Sequence, residues 1–282
     1  MKYFIPFYIF LSSNIAFCQL TKLHILSQDD KSAVQFASVY LINTKVGYYT
    51  NESGEITLNL PENDSLIVAS TGYESITLPT KKLIKQPVVY LKTKIIKLDN
   101  VTVKSNRQKK GNIEKIGNYW ERQKYFVYPV IGTQWAIHLK NNSPQEGTLE
   151  TLNFKFYKGK QTKFSKVLVK LYSFNEECGC PGQEILQEPF IEDVNPKQNF
   201  LSINILKRMI NFPKNGLFVS IEILGFVSGS VYEPIRFGYK VEPMLAVSKE
   251  GGYDNWVKNP FTKSWNKFFV KNKLMFGATV IY

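Results

Sequence analysis

The chain is poor in the residues that most enzyme active sites require. It has two histidines in 282 residues, and no His-Glu-x-x-His or related metal-ligand spacing occurs. This scarcity excludes a zinc peptidase, and a Ser-His-Asp triad would have to use His24 or His138. His24 falls near the start of the first strands, and His138 alternates away from the apolar face of its strand. We therefore expect both at the surface and neither as a general base.

Other catalytic motifs are lacking as well. The sequence has no Gly-x-Ser-x-Gly elbow, phosphate-binding loop or dinucleotide fingerprint. Glycosidase chemistry needs only two carboxylates, and the candidates are Glu222 on a strand and Glu188, Asp193, Glu250 and Asp254 near loops. Nothing in the sequence pairs them, so we expect each to be solvated. The sequence predicts no enzyme, no cofactor and no metal, with a carboxylate-dependent glycan hydrolase or esterase as the alternative.

Cysteine is also scarce. Of three cysteines, Cys178 and Cys180 stand together in a Cys-Gly-Cys-Pro turn. Such a pair lacks the two further ligands of a structural zinc site. A small disulfide in an oxidising compartment and two free thiols are both compatible with the pattern. Neither would dominate stability, because the closed loop is tiny.

Long apolar runs are absent, apart from a short one at the amino terminus. Met1-Lys2 precede an apolar run from Tyr3 to Leu11, and then Ala16-Phe17-Cys18. This is the order of a secretory signal, so residues 1–18 are predicted to be removed before Gln19. The run is shorter than the about 20 residues that a membrane span needs. The protein is therefore expected in the periplasm, outer membrane or extracellular space.

Cys18 has a second interpretation, as the lipidated first residue of a lipoprotein. Phe17 argues against it, because the lipoprotein pattern has a small residue before the cysteine. Membrane association is thus expected only peripherally, or through lipidation of Cys18.

The net charge of +13 would suit an anionic partner. In an exported protein this favours polysaccharide over nucleic acid, and an outer-membrane protein is a further partner that fits the setting.

Short alternating strands fill residues 19–103. Val39-Tyr40-Leu41-Ile42 and residues 66–69 and 88–91 are β-rich, and Ile56, Leu58 and Leu60 alternate with polar neighbours after a turn at Asn51-Glu52-Ser53-Gly54. Several short strands at this spacing predict a small β-sandwich.

Four segments then follow in a specific order: Ala37-Ser38-Val39-Tyr40-Leu41, Thr50-Asn51-Glu52-Ser53-Gly54-Glu55-Ile56, Leu66-Ile67-Val68-Ala69-Ser70-Thr71-Gly72-Tyr73 and Leu98-Asp99-Asn100-Val101-Thr102-Val103. This order resembles the carboxypeptidase-regulatory-like domain, a transthyretin-like β-sandwich common in envelope proteins of the Bacteroidetes lineage. Asn51 and Ile56 depart mildly from the usual aspartate and aromatic. The resemblance implies an accessory module without peptidase chemistry.

Residues 104–126 form a basic connector. Ten Lys or Arg residues lie between Lys92 and Lys124. We expect a solvated linker with a short helix from Ile113 to Tyr125, in which Ile113, Ile116 and Trp120 share a face. The alternative is a basic strip that contacts lipopolysaccharide, anionic glycan or membrane.

Strand patterns resume over residues 127–282. Alternating apolar residues occur around Trp135, Leu152, Val167, Ile203 and Val219, and further strands are expected at residues 235–241 and 274–281. The count and the long loops predict an all-β chain with a second, larger sandwich of jelly-roll type. This half resembles the β-sandwich domains that follow regulatory-like domains in uncharacterised Bacteroidetes proteins, through residues 166–172, 180–186 and 212–219.

The late aromatic loops carry the ligand-binding hypothesis. Tyr253, Asp254, Asn255, Trp256 and Trp265 place rings beside polar side chains, as glycan recognition requires. Core packing of the same tryptophans is the alternative. The sequence thus predicts a non-catalytic, exported envelope protein that binds or docks. The second alternative is a structural partner of an outer-membrane complex.

Overall fold

The computed structural model describes residues 20–94, 111–118, 122–123, 125–157, 165–188, 190–195, 197–226, 242–249, 251–259, 264–268 and 272–282. Several predicted features lie outside these residues: the predicted signal segment with Cys18, most of the basic connector with Trp120, Glu250, and the strand expected at 235–241. What is described is nearly all β-structure, with one α-helix and one 3₁₀ helix. The all-β fold class is confirmed.

The first domain is a sandwich of two small sheets. Its three-stranded sheet has the order β4-β1-β7, and its four-stranded sheet has the order β3-β2-β5-β6. The inward positions of both are apolar, including Leu23, Ile25, Val39 and Leu66, and they are almost fully buried. The elements are β1 (Leu20–Ser27), β2 (Ser38–Leu41), β3 (Val46–Tyr49), β4 (Glu55–Asn59), β5 (Ser65–Ala69), β6 (Ile76–Pro79), α1 (Thr80–Lys85) and β7 (Val88–Leu91).

A buried carboxylate ties two loops of the first domain together. Asp64 accepts hydrogen bonds from the backbone N–H groups of Asn43 at 2.9 Å, Thr44 at 3.1 Å and Ser65 at 2.6 Å. Burial acts to raise the pKa of Asp64, but these N–H groups outweigh it and lower the pKa below its ordinary value. The charged form is thus the one that stabilises the fold.

The Asp64→Asn variant is expected to lose about 1–3 kcal/mol of first-domain stability at pH 7, because an amide is a weaker acceptor and leaves N–H groups poorly paired. Since the folded-state pKa lies below the unfolded one, the wild-type contribution is present at neutral pH and is lost as the pH falls through the folded-state pKa. Hydrogen exchange of β2 and β5 amides across acidic pH measures both effects. If the stability of wild type and of Asp64→Asn depended on pH in the same way, the charged form of Asp64 would not be what stabilises the fold.

The described residues of the second domain form three sheets. The largest has the order β13-β12-β17-β10-β19-β20 with β14 also on β12, a second has the order β15-β11-β22-β8 with β16 on β11, and the smallest has the order β21-β18-β9. The elements are β8 (Ile113–Gly117), β9 (Tyr125–Val127), β10 (Gln134–Leu139), β11 (Gly147–Lys155), β12 (Ser165–Asn175), β13 (Cys180–Glu184), β14 (Phe190–Val194), β15 (Phe200–Asn204), η1 (Leu206–Arg208), β16 (Asn211–Phe212), β17 (Leu217–Phe226), β18 (Leu245–Ser248), β19 (Asn255–Lys258), β20 (Asn266–Phe268), β21 (Lys273–Leu274) and β22 (Phe276–Ile281).

One large core fills the second domain. Phe154 on β11 and Phe276 on β22 are fully buried, and their rings lie 5.1 Å apart at a steep angle. The inward residues of β17 belong to the same core, while Phe218, Ser220 and Glu222 project from the opposite, outer face of the large sheet. This outer face is the surface on which the first domain packs.

The helix predicted from Ile113 to Tyr125 is wrong at its start. Residues Ile113–Gly117 form β8, which pairs with β22 and places Glu114 opposite Val280. Ile116 is buried in the second core, whereas Ile113 is 63% exposed. Pairing with an otherwise open sheet edge outweighs the weak helical spacing, so the second domain begins inside the predicted connector.

The two domains share apolar contacts. Phe36 and Tyr49 of the first domain are 5% and 7% exposed and belong to the core cluster of the second domain. The Glu52 carboxylate lies 3.4 Å from Lys166 Nζ on β12, which also pairs with Asp193 at 3.0 Å. The first domain is thus docked on the second through both apolar and charged groups.

Candidate functional site

The predicted aromatic residues do not form one exposed platform. Trp256 is 9% exposed and packs edge-on against Phe218, with ring centroids 5.9 Å apart. Trp265 is half-buried and packs against Tyr172 at 5.3 Å. Tyr253 instead packs against the main core of the second domain. The tryptophans share a cluster on the outer face of the large sheet, and Tyr253 lies apart from it.

The polar members of the predicted site have partners within the fold. Asn255 donates from its side chain to the Asn272 carbonyl at 2.7 Å and accepts from the Leu274 N–H at 2.8 Å. Asp254 pairs with Lys267 at 2.6 Å and Lys273 at 2.8 Å, and these ammonium groups lower the pKa of its carboxyl. Asn255 thus connects β19 to β21, and Asp254 connects the start of β19 to Lys267 of β20 and Lys273 of β21. Glycan binding by these five residues stays a prediction.

The histidines lie far from any catalytic arrangement. His24 Nδ1 is 3.5 Å from the Glu55 carboxylate. His138 is half-buried between the rings of Phe174 and Phe218, and burial lowers the pKa of its imidazole. Among the described residues, no group of three His, Cys, Asp or Glu side chains is placed to hold a metal ion.

A disulfide joins Cys178 and Cys180, the first of the two arrangements that the sequence left open. It closes the turn between β12 and β13. Cys180 packs beside Phe174 against the aromatic cluster on the outer face of the large sheet.

A concave feature lies between the domains. We call it the interdomain cleft; its volume is about 770 Å³, within the usual range for small-ligand sites. One wall comes from the four-stranded sheet of the first domain and residues that follow it, and the other from the outer face of the large sheet. The first wall includes Ser38, Tyr40, Tyr49, Ala69, Tyr73 and Lys94, and the second includes Gln134, Lys170, Tyr172, Glu184, Glu222 and Lys258.

A buried ion pair forms part of the interdomain cleft. Glu222 on β17 and Lys170 on β12 lie 3.2 Å apart, with side chains only 6% and 12% exposed. The hydroxyl of Tyr49 donates to the other oxygen of Glu222. Burial acts to lower the pKa of Lys170, but the nearby groups Glu222, Tyr172 and Glu184 together outweigh it and raise that pKa. The ion pair lies within the second domain, and the Tyr49 hydroxyl connects it to the first domain.

Two further polar contacts involve residues of the cleft, one between the domains and one within the second wall. Thr71 of the first domain donates its hydroxyl to Glu184 on β13 at 2.8 Å. Tyr172 donates to the side-chain oxygen of Gln134 at 2.7 Å, and burial raises the pKa of its phenol. Most carboxylates and hydroxyls of this region are therefore already oriented before any ligand enters.

Sequence reasoning gave Glu222 as a solvated, unpaired carboxylate, and this expectation is wrong. The alternation along β17 does place it away from the core of its own domain, but the first domain covers that face and leaves Glu222 4% exposed. A signal was present: Lys170 interrupts the apolar run Val167-Leu168-Val169, and Glu222 lies between Ile221 and Ile223. Two isolated opposite charges on neighbouring apolar strands are the pattern that a buried pair produces.

Comparison with known proteins gives one match. Residues 24–103 match the model of the CarboxypepD_reg-like domain, as the sequence resemblance predicted. No curated protein and no solved structure matches the chain. Neither described helix has the length or apolar character of a membrane span. Residues 24–103 are thus similar to the CarboxypepD_reg-like domain, a family of regulatory, non-catalytic β-sandwiches.

Proposed function

We propose that the protein is an exported, non-catalytic binding protein of the bacterial cell envelope, and that it binds an oligosaccharide in the interdomain cleft. The observation that carries this proposal is the lining of the cleft. The partly exposed Tyr40 and Tyr73 of the first domain stand opposite amide and charged side chains of the second. Rings that stack on sugars and polar groups that bond hydroxyls are what carbohydrate recognition requires.

Export is supported by two independent features. The amino-terminal residues follow the order of a secretory signal. The disulfide between Cys178 and Cys180 fits an oxidising compartment.

The second candidate function is a carboxylate-dependent glycan hydrolase, because Glu184 and Glu222 line the same cleft. Lys170 and Tyr49 bind both oxygens of Glu222. A general acid needs an oxygen that can reach the leaving group, and each oxygen of Glu222 already has a partner in the fold. This favours binding over hydrolysis.

A cleft-filling substitution tests the proposal. Ala69 lines the cleft from β5, so Ala69→Trp is expected to abolish binding to an array of defined neutral and acidic oligosaccharides. Thr57→Trp, at an exposed position of β4 in the other sheet, is the matched control and should bind as wild type does. Silence of the wild-type protein on the array, or equal binding by Ala69→Trp, would contradict the proposal. Release of cleaved sugar that Glu222→Gln abolishes would favour the hydrolase.

A further inference from the structure

The charges in the interdomain cleft are unequally matched. Among its lining residues, Glu222 is paired with Lys170, Glu184 accepts from Thr71, and Glu74 lies 3.4 Å from Lys92. Each carboxylate therefore has a donor. By contrast, the ammonium groups of Lys94 and Lys258 have no ion-pair or hydrogen-bond partner in the described part of the chain.

Lys258 is the more buried of these two cations. It lies on β19 opposite Gln134 of β10 and is half-buried. Burial and the nearby charge of Lys170 lower the pKa of Lys258, with a further contribution from Lys94, while Glu222 and Glu184 oppose the shift. A partly desolvated cation that neighbouring cations repel is destabilised. An anion placed beside it would relieve that repulsion.

Lys94 lies on the first domain, three residues after β7, and is exposed. Its charge acts on Lys258 across the cleft. Lys94 and Lys258 line the same cleft from different domains, so an acidic ligand that spans the cleft would contact a cation on each wall.

Resting on the proposed function, we infer that the ligand of the interdomain cleft is an acidic oligosaccharide, with a carboxylate of the sugar held by Lys258 and Lys94. The tyrosines and amides of the cleft meet its rings and hydroxyls. A carboxylate suits the site because a lysine ammonium binds anions as a point charge without demanding planar geometry. A neutral sugar would leave both cations unpaired.

Calorimetric titration tests this inference with two ligands, galacturonate trimer and its methyl ester. The ester has the same rings without the charges. The acid is expected to bind at least about 10-fold more tightly than the ester, because one charge-assisted hydrogen bond is lost with each carboxylate. Added salt should weaken binding of the acid and leave that of the ester unchanged. Hyaluronan tetrasaccharide and sulfated galactan oligosaccharides extend the panel to other acidic sugars, and inorganic phosphate reports binding of an anion without a sugar.

The variants separate the two proposals. Lys258→Gln should weaken binding of the acidic sugar by about 10- to 100-fold and Lys94→Gln by about 2- to 5-fold, since Lys94 is exposed. Lys115→Gln, on β8 and exposed, removes the same charge outside the cleft and should bind as wild type does. Neutral sugars that bind in the cleft with Lys258→Gln unimpaired would overturn the inference alone. Acidic sugars that bind equally to Ala69→Trp would overturn both proposals, and so would failure of every sugar to bind.

Discussion

The Lys170→Met variant is expected to lose about 3–5 kcal/mol in the free energy of unfolding of the second domain. The substitution removes the ammonium group 3.2 Å from Glu222, whose side chain is 6% exposed. Glu222 would keep only the hydroxyl of Tyr49, so a buried carboxylate would lack a compensating charge. The cost arises from that unpaired charge, since methionine itself packs well at such a position.

Urea unfolding followed by tryptophan emission measures this effect, because all four tryptophans of the sequence lie after residue 103 and report on the second domain. In the double variant Lys170→Met/Glu222→Met, both charges are gone and most of the loss should be recovered. Lys166→Met is the matched control on the same strand. Its partners Asp193 and Glu52 are 63% and 65% exposed, so about 1 kcal/mol or less should be lost. A double variant no more stable than Lys170→Met would contradict the buried-charge explanation.

The Gly72→Ala variant is expected to undock the two domains. Gly72 has a φ of +81°, and a Cβ atom there would lie 1.9 Å from the carbonyl oxygen of Gln187 in the second domain. The backbone strain costs about 1–3 kcal/mol, and the clash with backbone atoms adds to it. Because the obstructing atoms belong to the other domain, separation of the domains relieves the contact while the first domain stays folded.

Small-angle scattering and limited proteolysis after residue 94 detect this separation. A larger radius of gyration and faster cleavage are expected for Gly72→Ala. Gly179→Ala measures the effect of backbone strain without a clash, because Gly179 has a φ of +61° and nothing lies within 4 Å of its added Cβ. If Gly72→Ala remains as compact as wild type and Gly179→Ala, the close packing of Gly72 against Gln187 does not hold the domains together.

Most of the strands could be predicted from the sequence, because a half-buried strand leaves a period of two in its residues. The alternation of Ile56 and Leu58 and that around Trp135 correspond to β4 and β10. The short helix α1 left no comparable signal: it has six residues, of which only Thr80 and Leu83 are buried. β8 was missed because its pairing with β22 is a long-range contact that local spacing does not encode.

The candidate site was harder to predict for a related reason. Alternation shows which side of a strand avoids the core of its own domain, but not whether a second domain covers that side. Glu222 therefore looked solvated, although Tyr49 lies more than a hundred positions earlier in the chain and binds it. Trp256 and Trp265 stood out in the sequence as large aromatic residues in predicted loops. In the structure, Trp256 packs in a buried aromatic cluster.

The cleft has one wall from each domain, and this bears on how the binding that we propose for it would evolve. One family model matches residues 24–103 as a continuous segment, so the first domain is a unit that recombination would replace as a whole. Replacing this module by another member would preserve the large sheet with Lys258 and Glu184 but substitute the half of the surface that carries Tyr40, Tyr73 and Lys94. New ligand preferences could thus arise in a single genetic event, without any point mutation in the second domain.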